Sequence, residues 1–149
     1  MMHQNRSILH LWTERTIRRL KNDPNYNLDS DLSYGDLIEI ISNRGKASLR
    51  GYLLHWQLRN SNGVLFVGRK VTIRHKKSVS VGRSVIFEDY VYIDALSQTG
   101  VELGDNVTIA KFSTLQCTGV IQELGRGIKI GSNSLLTCVF VAVRFFYFV

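Results

Sequence analysis

Residues 79–93, VSVGRSVIFEDYVYI, carry the pattern that decides the fold. Apolar residues stand two apart in pairs, and successive pairs begin six residues apart, at Val79, Val85 and Val91. Because side chains alternate between the two faces of a strand, each pair places two apolar side chains on one side of a short strand. Six residues is too short for a strand, a hairpin and a return strand. The spacing suits a short strand followed by a sharp corner.

The same pairs continue on both sides of this stretch. They recur at Val71/Ile73, Val101/Leu103, Val107/Ile109 and Ile128/Ile130, with Ser113/Leu115 as a weaker version. Three such sides make a coil of about eighteen residues, and stacked coils bury one column of aliphatic side chains. We therefore predict a solenoid, with an antiparallel β-sandwich as the alternative.

Glycines mark the corners and show where the coils deviate from the expected length. They stand at Gly68, Gly82, Gly104 and Gly131, and glycine with Asn or Asp tolerates tight turns. The interval from Gly68 to Gly82 is shorter than a coil, which predicts an imperfect first turn. The later intervals are longer, which predicts loops at ALSQTG and CTGVIQELGRG.

The part of the chain that precedes the repeats is predicted to be helical. One helix is expected to follow Ser7 as its cap and to run to Leu20, and another to begin in the SYGD stretch at Ser33. Further on, KASLRGYLLHWQLRN places four apolar side chains on one face: Leu49, Tyr52, Leu53 and Trp56. We expect this face to pack on the chain's own core; the alternative is peripheral contact of the basic helices with a membrane.

Charge and cysteines set limits on partners and compartment. The net charge is +7, and the excess of Lys and Arg lies in the first half. Such a half attracts anionic partners or forms a solvated surface. The repeats lack an aromatic and basic surface, so we expect no nucleic acid. Cys117 and Cys138 have no disulfide or zinc-site spacing, and no signal peptide is evident, which together favour the cytoplasm.

The stretches VGRKVT, VGRSVI, LGDNVT and IGSNSL resemble the hexapeptide-repeat acyltransferase family. The resemblance covers Val67 to Leu135 and implies a mainly β fold, a left-handed parallel β-helix preceded here by N-terminal α-helices. The sequence of the repeats, together with the basic helical segment before them, is most similar to bacterial O-acetyltransferases that modify exopolysaccharide or lipopolysaccharide sugars. The implied activity is transfer of acetyl from acetyl-CoA to a sugar hydroxyl, in polysaccharide biosynthesis and without a metal.

The resemblance also implies a homotrimer, a cofactor groove between neighbouring chains and a histidine base, often after asparagine. None of His3, His10, His55 and His75 follows an asparagine, and the first three precede the repeats. The catalytic residue is therefore unknown, with His75 a weak candidate on the irregular first coil. The cofactor-binding residues are unknown too.

The apolar tail LLTCVFVAVRFFYFV is expected to break the repeat. A membrane span needs about twenty apolar residues, and Arg144 interrupts this run; a cap would present polar residues. We favour a truncated or frame-shifted reading frame. The expected domains are a helical basic segment (1–63), a β-helix of about three coils (64–134) and the tail (135–149). We accordingly expect an incomplete or inactive O-acetyltransferase; the alternative is a non-catalytic trimeric β-helix that binds or assembles partners.

Overall fold

The computed structural model describes residues 8–21, 24–25, 33–117, 125–137 and 140–142. In these ranges the protein is a mixed α/β structure with two helices, α1 (Ile8–Lys21) and α2 (Tyr34–His55), followed by short parallel strands. The chain forms two compact units, Met1–Lys46 and Ala47–Val149. None of the helices in the described ranges combines the length and the apolar character that crossing a bilayer requires.

Each strand is only two or three residues long. In chain order they are β1 (Asn60–Ser61), β2 (Leu65–Val67), β3 (Thr72–Arg74), β4 (Val79–Val81), β5 (Val85–Phe87), β6 (Tyr92–Asp94), β7 (Val101–Leu103), β8 (Thr108–Ile109), β9 (Thr114–Gln116), β10 (Ile128–Ile130), β11 (Leu135–Leu136) and β12 (Phe140–Ala142). A short 3-10 turn, Lys76–Ser78, separates β3 from β4.

The strands form three parallel four-stranded sheets, which the chain visits in turn. The strand orders are β1-β4-β7-β10, β2-β5-β8-β11 and β3-β6-β9-β12. We call one passage through all three sheets a round. Strand pairing is parallel throughout the described ranges, which excludes the predicted alternative of an antiparallel sandwich there.

The length of a round follows from the register of the first sheet. Ser61 pairs with Val81, Val81 with Leu103, and Leu103 with Ile130. Every round is therefore longer than the predicted coil, and each is longer than the round before it. The predicted loop ALSQTG lies between β6 and β7 and lengthens the second round. The second predicted loop, CTGVIQELGRG, lies mostly outside the described residues.

The apolar pairs read from the sequence form the core. Val79, Val85, Val91, Val101 and Val107 are completely buried, and most of the remaining core residues are other members of the predicted pairs. Strands β2, β4, β5 and β7 alternate a buried, a half-buried and a buried residue, as strands with one covered face should. The prediction of paired inward side chains is therefore confirmed.

Positive φ angles mark the corners between strands. They occur at Lys70, His75, Ser84, Tyr90, Asn106, Phe112 and Asn133. A Cβ atom on Gly82 would stand 2.6 Å from the backbone of Gly104, so these two predicted corner glycines do stack. A Cβ on Gly68 would instead meet the backbone of Asp89 at 2.6 Å. Gly68 thus lies at a different corner, and its short interval to Gly82 is no imperfect turn.

The helix predictions hold for the position of the helices but not for one face. Helix α1 begins at Ile8 as expected, while the predicted cap Ser7 lies outside the described residues. The stripe Leu49, Tyr52, Leu53 and Trp56 was expected to pack on the core, and this is wrong, because all four side chains are exposed. The side of α2 that packs on the sheets carries Gly51 and Leu54 instead.

The domain boundaries that the sequence predicted after residues 63 and 134 differ from those in the structure. The compact units divide inside α2, since its second half packs on the sheets. Four rounds are present in the described residues rather than about three: β1 precedes residue 64, and β11 and β12 lie within the tail. Leu135 pairs with Thr108 and Phe140 with Thr114, so pairing does not stop at 135. Residues 143–149 lie outside the described ranges.

Two glycines of α2 should respond in opposite directions to the same substitution. A Cβ at Gly51 would overlap the carbonyl oxygen of Leu65, whereas a Cβ at Gly45 would meet nothing within 4 Å. We expect Gly51→Ala to lower the free energy of unfolding by about 1–3 kcal/mol through overpacking. Gly45→Ala should raise it by up to about 1 kcal/mol, since alanine favours the helix. Urea unfolding followed by circular dichroism measures both; equal effects would contradict the packing of α2.

Candidate functional site

His75 lies at the corner between the third and the first sheet. It directly follows β3, and its backbone has φ 54° and ψ 46°, the left-handed region. A residue other than glycine rarely takes this conformation, so surrounding contacts must hold it. About two fifths of the side chain is exposed. The imidazole can therefore meet a ligand while being fixed from behind.

A carboxylate on the next round fixes this imidazole. His75 Nδ1 lies 2.9 Å from Oδ1 of Asp94, whose side chain is only 7% exposed. The same oxygen accepts a hydrogen bond from the backbone N–H of Leu96 at 3.3 Å. The pair forms because Arg74 stands opposite Asp94 in the register of β3 and β6, which brings the neighbouring His75 alongside.

The chemistry of the pair determines the histidine tautomer. An ionised carboxylate has no proton to donate, so Nδ1 of His75 must be the donor in this hydrogen bond. In the neutral imidazole the other nitrogen, Nε2, then has a free lone pair. A histidine oriented in this way by a carboxylate can accept a proton at Nε2, which is the geometry of a general base.

Side chains from the segment after α2 hold the 3-10 turn that follows His75. Arg59 donates from Nε to the carbonyl oxygen of Lys77 at 3.3 Å and from Nη1 to that of Thr99 at 3.0 Å. Lys76 Nζ donates to Oε1 of Gln57 at 2.7 Å. These bonds connect two successive rounds at this corner, and they limit movement of the backbone that carries His75.

Three basic residues adjoin His75 in the sequence. Arg74 precedes His75, and a hydrogen bond with the side chain of Tyr92, together with the charge of Asp94, raises the pKa of its guanidinium. Lys76 and Lys77 follow directly. The segment that carries His75 is therefore basic, which suits a site that meets an anionic molecule.

Cys117 is a nucleophilic side chain close to this corner, but it is poorly placed for chemistry. It follows β9, and its backbone N–H donates to the carbonyl oxygen of Asp94 at 2.9 Å. The side chain is completely buried, and burial raises the pKa of the thiol, although a hydrogen bond with Ser97 acts in the opposite direction. A thiol in this state does not ionise readily, so we assign it to the core.

Two grooves of similar size lie on the second unit. One, of about 400 Å³, runs between α2 and the strands and is lined by Arg50, Leu53, Gln57, Lys70 and Lys76 among others. It has three cations and no acidic residue. The other, of about 410 Å³, lies along the first sheet and mixes Glu102 and Asp105 with Lys129.

The remaining histidines do not join the pair. His55 ends α2, and its ring packs edge-on against Trp56 at 5.8 Å between centroids. His3 and the side chain of His10 lie outside the described residues. Among the described residues, no group of three His, Cys, Asp or Glu side chains could hold a metal ion.

No known protein family, curated protein or solved structure matches this chain in sequence or structural comparison. The resemblance to hexapeptide-repeat acyltransferases therefore depends on the motifs alone and stays a prediction.

The sequence prediction missed Asp94, although a signal for it exists. In the observed register of the first two rounds Arg74 falls opposite Asp94, and a carboxylate appears beside the candidate histidine. Because the predicted coil is shorter than the first round, the prediction did not place Arg74 opposite Asp94. The extra length of the first round lies in the 3-10 turn after His75, which no glycine announces.

We expect Cys117 to resist thiol reagents in the folded protein. In a Cys138→Ser background, labelling should be at least about 100-fold slower in buffer than in concentrated urea, because the thiol is buried and weakly ionised. The rate of reaction with a chromogenic disulfide at mildly alkaline pH measures this. Equal rates in both conditions would show that the corner is open and would contradict the described packing.

Proposed function

We propose that this protein is an acetyl-CoA-dependent O-acetyltransferase that acts on a sugar hydroxyl, with His75 as its general base, rather than the incomplete or inactive enzyme expected from the sequence. The single observation that carries the proposal is the 2.9 Å contact between His75 Nδ1 and the buried carboxylate of Asp94. This contact gives His75, the weak candidate from the sequence analysis, a specific orientation. About two fifths of the His75 side chain is exposed, so the oriented imidazole can still meet an acceptor hydroxyl.

The fold that we propose for this activity is a left-handed parallel β-helix in which each round is one coil. Parallel pairing in three sheets and the buried apolar pairs support it. We further propose a homotrimer, with acetyl-CoA held between neighbouring chains, and a cytoplasmic location, where acetyl-CoA is supplied. The acceptor is a sugar of a polysaccharide precursor.

The proposed reaction uses the free lone pair of His75. Nε2 removes the proton of the sugar hydroxyl while the oxygen attacks the thioester carbonyl carbon. The tetrahedral intermediate then expels the thiolate of CoA, and the imidazolium of His75 gives its proton to this thiolate. The products are the acetyl ester and CoA, and no other reactant is needed. Asp94 stays ionised, holds the tautomer and stabilises the positive charge on the ring.

Substitution of the pair tests the proposal directly. With sugar-dependent release of CoA as the readout, His75→Gln should lower kcat by about 10²–10⁴, the usual contribution of a general base. Asp94→Asn should also lower kcat, because an amide can donate to Nδ1 and place the proton on Nε2. The KM for acetyl-CoA should change little in both variants, since neither side chain is assigned to the cofactor.

The matched control is His55→Gln, which makes the same chemical change at a histidine that packs on Trp56. It should keep the activity of the parent. Equal activity of His75→Gln and the parent would refute the assignment of the base. A stable trimer that neither binds acetyl-CoA nor releases CoA would refute the enzymatic function and favour a non-catalytic binding or assembly module.

A further inference from the structure

Four large apolar side chains form an exposed stripe near the end of α2. Leu49, Tyr52, Leu53 and Trp56 follow the helical spacing i, i+3, i+4 and i+7 and lie on one face. They are 69%, 64%, 67% and 72% exposed. Single exposed apolar residues are common, but a continuous row of four with a tryptophan at its end indicates a contact surface.

The opposite side of the helix is already in use, so α2 cannot rotate to bury the stripe. A side chain on Gly51 would overlap the backbone of Leu65, which shows how closely α2 approaches β2. Leu54 packs against the core, and Arg50 Nη1 donates to the carbonyl oxygen of Val67 at 3.0 Å. The direction of the stripe is therefore fixed by the packing of the helix.

The stretch of sequence that contains the stripe is basic. Residues 47–87 contain eight Lys and Arg and no Asp or Glu. Lys77 Nζ lies 3.5 Å from the carbonyl oxygen of Trp56, and Lys76 contacts Gln57. The groove beside the stripe shares Leu53 with it and adds Arg50 and Lys70. The partner must thus be apolar where it meets the leucines and anionic around them.

We propose that this stripe binds the surface of an anionic lipid membrane. An interfacial helix inserts its apolar face about 5–10 Å into the bilayer and leaves basic side chains at the headgroups. Trp and Tyr prefer that depth, and each Lys or Arg gains from the negative surface potential. A nucleic acid would satisfy the cations but not Leu49 and Leu53. A second copy meeting the same face would bring like charges together.

The proposal is independent of the acetyltransferase function, because it depends on neither His75 nor acetyl-CoA. It gives the protein a defined orientation, with the stripe and the cations of the groove towards the headgroups. An enzyme placed in this way would meet lipid-linked acceptors at the membrane surface.

Vesicle binding of the full chain tests the proposal. The probes are phosphatidylcholine vesicles with and without about one third phosphatidylglycerol. In a Trp12→Phe background Trp56 is the only tryptophan, and its selectively excited emission should shift to the blue with anionic vesicles. Binding should be at least about tenfold weaker with neutral vesicles, and raising the salt from about 0.1 to about 0.5 M should weaken it. Leu49→Ser with Leu53→Ser should lower the affinity by at least about tenfold.

The matched control is Leu135→Ser, since Leu135 lies in β11 away from the stripe and is also 67% exposed. It should bind as the parent does, and urea unfolding should show both variants folded. Unchanged binding by the double variant, or an equal loss in the control, would overturn the proposal. An absence of vesicle binding would overturn it too. In that case, a change of oligomeric mass in the double variant would indicate that the stripe binds a second copy, and binding of RNA would indicate a nucleic-acid partner.

Discussion

The structure depends on the parallel pairing of each round with the next. A strand of two or three residues gains little by itself, and it becomes stable only when equivalent strands of neighbouring rounds lie beside it. This pairing requires that inward side chains meet inward side chains in all three sheets at once. The buried row Val79, Val101 and Ile128 illustrates it, because these residues are direct partners although they belong to three different rounds.

Rounds of different length can pair in this way only if their additional residues lie outside the strands, and these residues lie at the corners. The 3-10 turn after β3 and the loop after β6 absorb the differences in the length of the rounds. The candidate site forms at the corner that carries this turn. His75 stands on one round and Asp94 on the next, so their contact exists only when the rounds are in register. The carboxylate loses solvation there, and hydrogen bonds from His75 and Leu96 compensate for it.

The sequence predicts the parts of the fold that repeat. The apolar pairs, the corner glycines Gly82 and Gly104 and the two helices follow from local patterns of period two, six and 3.6. The pattern does not tell which corner a glycine belongs to, and Gly68 was misplaced because the first round was expected to be shorter than it is. The tail misled in another way: its composition suggested a break, yet Leu135 and Phe140 keep the register.

The two errors that matter for function have a common origin, since both concern contacts between distant residues. Asp94 carries no motif of its own, and only the register brings it to His75. The apolar stripe of α2 looked like a core face, because periodicity shows that a face is apolar but not which face packs. Gly51 decides this, since the close approach to Leu65 admits no side chain at that position.

The most direct test of the account is the tautomer of His75, observed by long-range ¹H–¹⁵N NMR of histidine-labelled protein at a pH where the ring is neutral. The His75→Gln spectrum assigns the signal. Our account predicts a proton on Nδ1 and a free Nε2, and it predicts that Asp94→Asn removes this preference. A proton on Nε2 in the parent, or a signal unchanged by Asp94→Asn, would contradict the pairing of His75 with Asp94 on which the candidate site depends.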